Sequence, residues 1–306
     1  MSMTFLFLSA KEKQEKLVRD FSEISRRKSP WRDLVRRFMR NRLGMLGFCV
    51  ITILIIMVMF APFFAQQDYA AQSLSNKFAY PSPEHIMGTD NLGRDLWSRL
   101  LYGGRISLLI SLTSVTIASV FGIFLGSIAG YFGGTTDLII TRLLDVLMAI
   151  PQLLLAVSIS AALGSGPFNT ALAISVSAIP STMRILRSTV LSIKSNDFVE
   201  AARATGSRHF RVIFKHILPN TLAPLIVNAT LQIGGNILAI SGLSFIGLGV
   251  MPPTPEWGSI LNAGRTYLRD FYPIIVFPAI FIFLTVFGIN LLGDGLRDAL
   301  DPRLRD

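Results

Sequence analysis

The residues whose types could do chemistry fall into three groups. The first is a charged stretch between two apolar runs, Asp197 to Asn220. The second is a set of amides, Asn228, Gln232 and Asn236, spaced four apart inside an apolar run. The third is the histidines, His85, His209 and His216. The histidines have neither paired carboxylates nor metal-ligand spacing, so all three read as surface residues. No G-x-x-x-x-G-K-[ST] phosphate loop, H-E-x-x-H pair or G-x-S-x-G elbow occurs. The pattern is that of a chain with no catalytic constellation, no metal and no cofactor. The amides are different, because an amide in hydrocarbon needs a partner. The stripe therefore faces either other helices or an aqueous path, and the spacing leaves both open.

The charged stretch has a legible local structure. Glu200 to Ala204 are good helix formers, and Gly206 is a terminator. The Ser207 hydroxyl can cap a second turn, in which Phe210, Ile213, Phe214 and Ile217 repeat at helical spacing. Pro219 marks a break. The expected product is a helix–turn–helix with Arg203, Arg208, Arg211 and Lys215 outside. Such a basic amphipathic segment fits a loop held at lipid headgroups, and equally one gripped by a soluble partner.

The elements that hold these groups are membrane spans. The chain has 306 residues, of which 51% are hydrophobic and only 16% charged, against about 25% charged in a soluble domain. Apolar runs of about 20 residues recur, enough for a hydrocarbon core about 30 Å thick. The two-residue alternation of barrel strands is missing. The fold class is therefore an all-α polytopic membrane protein of six transmembrane helices. The net charge of +10 belongs to loops beside the spans rather than to a nucleic-acid surface. Cys49, the single cysteine, lies inside the first run as an apolar packing residue and excludes an intrachain disulfide. Met3 to Leu8 is apolar but is followed by charges, so no cleavable leader is read there.

Residues 1–42 form a basic segment whose 31–42 part lies on the inner membrane surface, which places the N-terminus in the cytoplasm. Span one is 43–65. Residues 66–105 form an outer segment with a short interfacial helix, Leu96 to Leu101, capped by Asp90 and flanked by Trp97 and Tyr102 as interface anchors. The core, 106–295, holds spans two to six near 106–131, 137–163, 168–186, 221–248 and 273–292. The loop 188–220 is cytoplasmic, as is the tail, 296–306. Within span two, Ser114, Ala118, Gly122, Gly126 and Gly130 make a helix-packing stripe of small residues. Gly133 and Gly134 make a tight turn. Arg142 and Asp145 in span three can pair with each other, and Pro151 kinks or interrupts that span. Pro252, Pro253, Pro255 and Trp257 stiffen an outer loop.

Glu200-Ala201-Ala202, then Gly206, then Leu218-Pro219, resembles the cytoplasmic "EAA" loop of ATP-binding-cassette (ABC) importer permeases. His216 stands where the family pattern has an aliphatic residue. Gly88-Thr89-Asp90 with Gly93-Arg94-Asp95, Ser107-Leu108, Leu243 to Gly249, Pro252 to Gly258 and Leu292 to Asp298 are similar to the subgroup that moves dipeptides, oligopeptides, nickel or glutathione. Within it the chain looks like the "C"-type permease.

The resemblance implies a type I importer permease with both termini cytoplasmic in the bacterial inner membrane. It would form half of a path for dipeptides or oligopeptides. Implied partners are a second, homologous permease in a heterodimer, two ATP-binding subunits, a periplasmic or lipid-anchored solute-binding protein, and the lipid bilayer. Nucleic acid is not among them. Glu200, Ala201, Ala202, Arg203, Gly206, Arg208 and Arg211 would couple to the ATPases, and the ATPase activity would reside in those separate subunits. Asn228, Gln232 and Asn236 are candidates for the path. Open alternatives are a glutathione or nickel importer of the same subgroup, an ATP-independent carrier or channel, and a membrane scaffold without a path.

Overall fold

The structure is a computed structural model, which describes residues 30–300. Among these residues it is built of helices with no strand; a single isolated bridge joins Thr89 and Asp95. In chain order the helices are α1 (Pro30–Arg40), α2 (Arg42–Met59), α3 (Ala61–Phe64), α4 (Leu96–Phe132), α5 (Gly134–Met148), α6 (Gln152–Leu163), α7 (Pro167–Ile193), α8 (Asp197–Ala204), α9 (His209–Phe245), α10 (Trp257–Gly264) and α11 (Pro273–Leu300). By length and composition α2, α4, α9 and α11 can each cross a membrane, and the α5–α6 pair makes a fifth if it counts as one broken span. The remaining predicted span is α7. Its 27 residues reach about 40 Å at about 1.5 Å per residue, but serines, threonines and two arginines dilute its apolar character.

The largest helix contact is α4 on α7. It forms because the stripe of small residues removes side-chain bulk where the two backbones meet. A Cβ added at Gly122 would lie 2.7 Å from Thr182 Cγ2, and one at Gly126 would lie 2.8 Å from the Met183 carbonyl oxygen. Ser114 Oγ bonds across the seam to the Ala171 carbonyl at 3.1 Å. Gly126→Val is therefore expected to wedge the pair apart and cost about 1–3 kcal/mol of stability. A lowered thermal midpoint of the detergent-purified protein checks this, and an unchanged midpoint contradicts it. A second block joins α2 to α11, where Gly44 and Gly295 approach backbone to backbone.

Several boundaries differ from the sequence reading. The interfacial helix and span two are one helix, α4, of 37 residues. Gly103 and Gly104 do not break it. Gly104 instead admits Val58 and Trp257, whose atoms would lie 2.7 and 2.8 Å from an added Cβ. Span three is bent by 84° at the break before Gln152, so Pro151 interrupts it rather than kinking it. α11 runs through Gly293 to Leu300, so part of the predicted tail is helical, and residues 301–306 lie outside the described residues. The predicted segment before residue 30 also lies outside them.

Residues 66–95 fold into a compact loop around two buried carboxylates. Asp90 accepts the backbone N–H groups of Leu92 and Arg94 and the Arg94 Nε at 2.6 Å, with Arg99 Nε at 3.5 Å. It does not cap α4. That role falls to Asp95, which accepts Ser98 N at 2.8 Å. Asp95 also holds His85 Nδ1 at 3.0 Å. His85 is thus buried and paired, not a surface residue. Asp145 likewise pairs with Arg184 at 2.8 Å rather than with Arg142, because α7 passes alongside α5. Trp97 donates Nε1 to the Phe64 carbonyl at 2.8 Å and sits edge-on to Phe281.

Candidate functional site

The charged stretch folds into a two-armed elbow at one end of the α4–α7 pair. Its first arm is α8. The helix begins with Asp197 and Glu200 in its first turn, where acidic groups meet the positive end of the helix dipole, and has Arg203 in its last. Gly206 ends it with φ +79°, a left-handed conformation that glycine adopts without a Cβ clash. Gly206 N–H bonds the Arg203 carbonyl at 2.9 Å, and Ser207 N–H bonds the Ala202 carbonyl at 3.1 Å. This pair of bonds is a Schellman C-cap, so the turn has one defined shape.

The second arm is the start of α9. Its N-cap is Arg208, without a side-chain cap bond, so Ser207 does not serve as the cap expected from sequence. Pro219 does not break the chain either. The preceding Val212–Ile217 is wound as a π-helix, and Leu218 N–H reaches back to the Ile213 carbonyl. Proline has no N–H and crowds the carbonyl four residues earlier, and the wider π-turn accommodates it.

Val199 of α8 packs in one cluster with Val212, Ile213 and Ile217 of α9 and with Tyr131, Leu186 and Val190, and Ala202 of α8 is buried as well. The predicted stripe splits: Ile213 and Ile217 are buried, whereas Phe210 and Phe214 are 68% and 62% exposed. Phe198 is exposed as well. Glu200, Ala201, Arg203, Gly206, Arg208 and Arg211 are all exposed, and Ala202 alone of the predicted set is an inward anchor. The elbow therefore presents a basic surface studded with aromatics. Sequence reasoning missed the outward phenylalanines because helical spacing alone cannot say which side of a short helix meets the core.

The amides do not act as one set. Gln232 donates Nε2 to Thr182 Oγ1 at 2.8 Å and so braces α9 against α7. Asn236 is 3% exposed, and its Nδ2 has no protein partner among the described residues. Asn228 is half-buried. The stripe combines a helix brace with at least one buried group free to bond.

The described residues thus form a helical bundle in which one apolar helix pair is bent by 84° and one charged elbow stands exposed. The chain belongs to the family of binding-protein-dependent transport system inner membrane components, whose model matches residues 122–306. The N-terminal transmembrane domain of oligopeptide transport permease C matches residues 29–81. It is thus a permease of the ABC importer kind. The dipeptide transport system permease protein DppC of Alkalihalophilus pseudofirmus is 43% identical over 90% of this chain and 91% of its own length. The glutathione transport system permease protein GsiD of Escherichia coli is 42% identical over 91% and 92%. A solved inward-facing structure of the MetNI methionine ABC transporter shares the fold, with a TM-score of 0.55 at 19% identity over 67% of this chain and 97% of that one.

Proposed function

We propose that the protein is one of two non-identical permeases of a bacterial inner-membrane importer for dipeptides or oligopeptides. Its elbow faces the cytoplasm, as do both termini, and two separate ATP-hydrolysing subunits grip it and its counterpart. A periplasmic or lipid-anchored binding protein delivers the solute outside. Closure of the ATPases pushes the elbow and swings the spans from inward-open to outward-open, since a stiff helix pair transmits displacement. The peptide assignment is supported by relatives named for dipeptides and for glutathione, which is itself a small peptide.

The observation that carries this reading is the elbow's build. Its inward side is anchored by Val199, Ala202, Ile213 and Ile217, while Glu200, Arg203, Arg208, Arg211, Phe210 and Phe214 stand outside. Glu200→Lys reverses a charge on that outer surface and opposes the helix dipole. It is expected to abolish peptide uptake without loss of membrane-inserted protein. Uptake assays with a labelled dipeptide, glutathione and nickel, in cells lacking their own systems, test function and substrate together. Normal dipeptide uptake by an inserted Glu200→Lys protein rejects the elbow. Transport by the purified chain alone on an ion gradient rejects the importer reading.

We also place Asn228, Gln232 and Asn236 along the path, with the unpartnered Asn236 amide available to a peptide group. Single cysteines at these positions are expected to react with polar thiol reagents from the aqueous side. A dry helix interface would leave all three unlabelled.

A further inference from the structure

Both arms of the elbow close on one side chain of α4. Tyr131 stands in the last turn of that helix and is only 6% exposed. From the first arm, the Arg203 guanidinium lies over the Tyr131 ring, 4.9 Å from its centroid. From the second arm, His209 Nδ1 lies 2.9 Å from the Tyr131 hydroxyl. Phe132 meets both rings, at 5.2 Å from Tyr131 and 5.7 Å from His209. One residue up, Lys194 Nζ donates to the Gly130 carbonyl at 3.1 Å, which ties the approach to the elbow to the same turn.

We infer that Tyr131 is the positioning residue through which the elbow moves α4. The proposal rests on the importer reading above. Val199, Val212, Ile213 and Ile217 belong to the same buried cluster as Tyr131 and give the two arms apolar contacts besides the tyrosine. What the tyrosine adds is a joint between the elbow and the α4–α7 block. Its ring fills the space between the arms, its hydroxyl fixes the rotation of His209, and its face is covered by Arg203. A cation is attracted to the electron-rich face of an aromatic ring, so this contact ties the last turn of α8 to Tyr131. Because α4 packs so closely on α7 through Gly122, Gly126 and Gly130, a displacement entering at Tyr131 moves both helices together. Tyr131 is itself buried behind the exposed surface, so its replacement removes no atom from the face that the ATPases would grip.

The test uses the whole importer in proteoliposomes, with both permeases, the ATPases, the binding protein and a labelled dipeptide. The readout is solute imported per ATP hydrolysed. Tyr131→Leu is expected to lower that ratio about tenfold while the ATPases still co-purify. Tyr131→Phe keeps the ring and the Arg203 contact and is expected to recover most of it. An unchanged ratio in Tyr131→Leu overturns the proposal. Should Tyr131→Leu fail to insert, Tyr131→Phe and His209→Ala decide the matter as a double-mutant cycle. Losses that do not add support a shared joint, and fully additive losses overturn it. A wild-type assembly that imports without the ATPases would refute the importer reading itself and take this proposal with it.

Discussion

Replacing Gly206 with proline is expected to reduce solute uptake to the background of cells without the importer, with the protein still inserted in the membrane. Three effects combine at this position. Gly206 has φ +79°, whereas the proline ring holds φ near −65°. Proline also deletes the N–H that bonds the Arg203 carbonyl, one of the two bonds that close the C-cap. Finally, the turn sets the angle between α8 and α9, so both Arg203 and His209 lose their positions around Tyr131. No neighbouring atom lies within 4 Å of a Cβ built there, so the constraint is purely one of backbone conformation. Gly206→Ala keeps the N–H and has room. It meets only the cost of a left-handed backbone, about 1–2 kcal/mol, and is expected to transport at a reduced rate. Uptake of a labelled dipeptide, with the membrane-fraction protein quantified beside it, checks both. Full uptake by an inserted Gly206→Pro protein would show that the turn has no part in coupling.

The second large effect is structural and lies at the opposite end of the molecule. Asp90 is 2% exposed and faces two arginines, Arg94 at 6% and Arg99 at 3% exposure. Asp90→Ala would leave both guanidinium groups buried beside each other without their carboxylate. Breaking a buried pair by removing one partner costs about 3–5 kcal/mol, mostly through the stranded charge. It also removes the acceptor for the Leu92 and Arg94 N–H groups that shapes the turn. The loop 66–95 is therefore expected to open, seen as new protease cleavage between residues 66 and 95 and a lower thermal midpoint. Asp90→Asn keeps an acceptor for those N–H groups and is expected to fall between alanine and wild type. An Asp90→Ala protein with the wild-type protease pattern would mean that the arginines find other partners.

The split between what could be read early and what could not follows from the range of the interactions. Helical class, the apolar runs, the small-residue stripe and the termination of α8 at Gly206 depend on residues within a turn or two of each other, so composition and spacing reveal them. The helix–turn–helix of the elbow was legible for the same reason. Interactions between distant segments were not. Asp145 takes Arg184 across 39 positions in place of nearby Arg142, because α7 passes alongside α5. His85 looks like a surface histidine until Asp95 folds back over it.

The local rules also failed where a neighbour changes their cost. Pro219 breaks an isolated helix, but a π-turn ahead of it lets α9 continue. Gly103, Gly104, Gly293 and Gly295 look like punctuation, yet the helices run through them, and Gly104 and Gly295 give up their side chains so that Trp257 and Gly44 can come close. Sequence alone thus determined the membrane class, most of the helices and the position of the elbow along the chain, because the energies of helix formation and apolar burial are set locally. The tertiary structure decided which face of each helix is shared, which charges meet, and that Arg203 and His209 converge on Tyr131. Those outcomes depend on which surfaces exclude lipid and water together, a property of packed helices that no single stretch of chain contains.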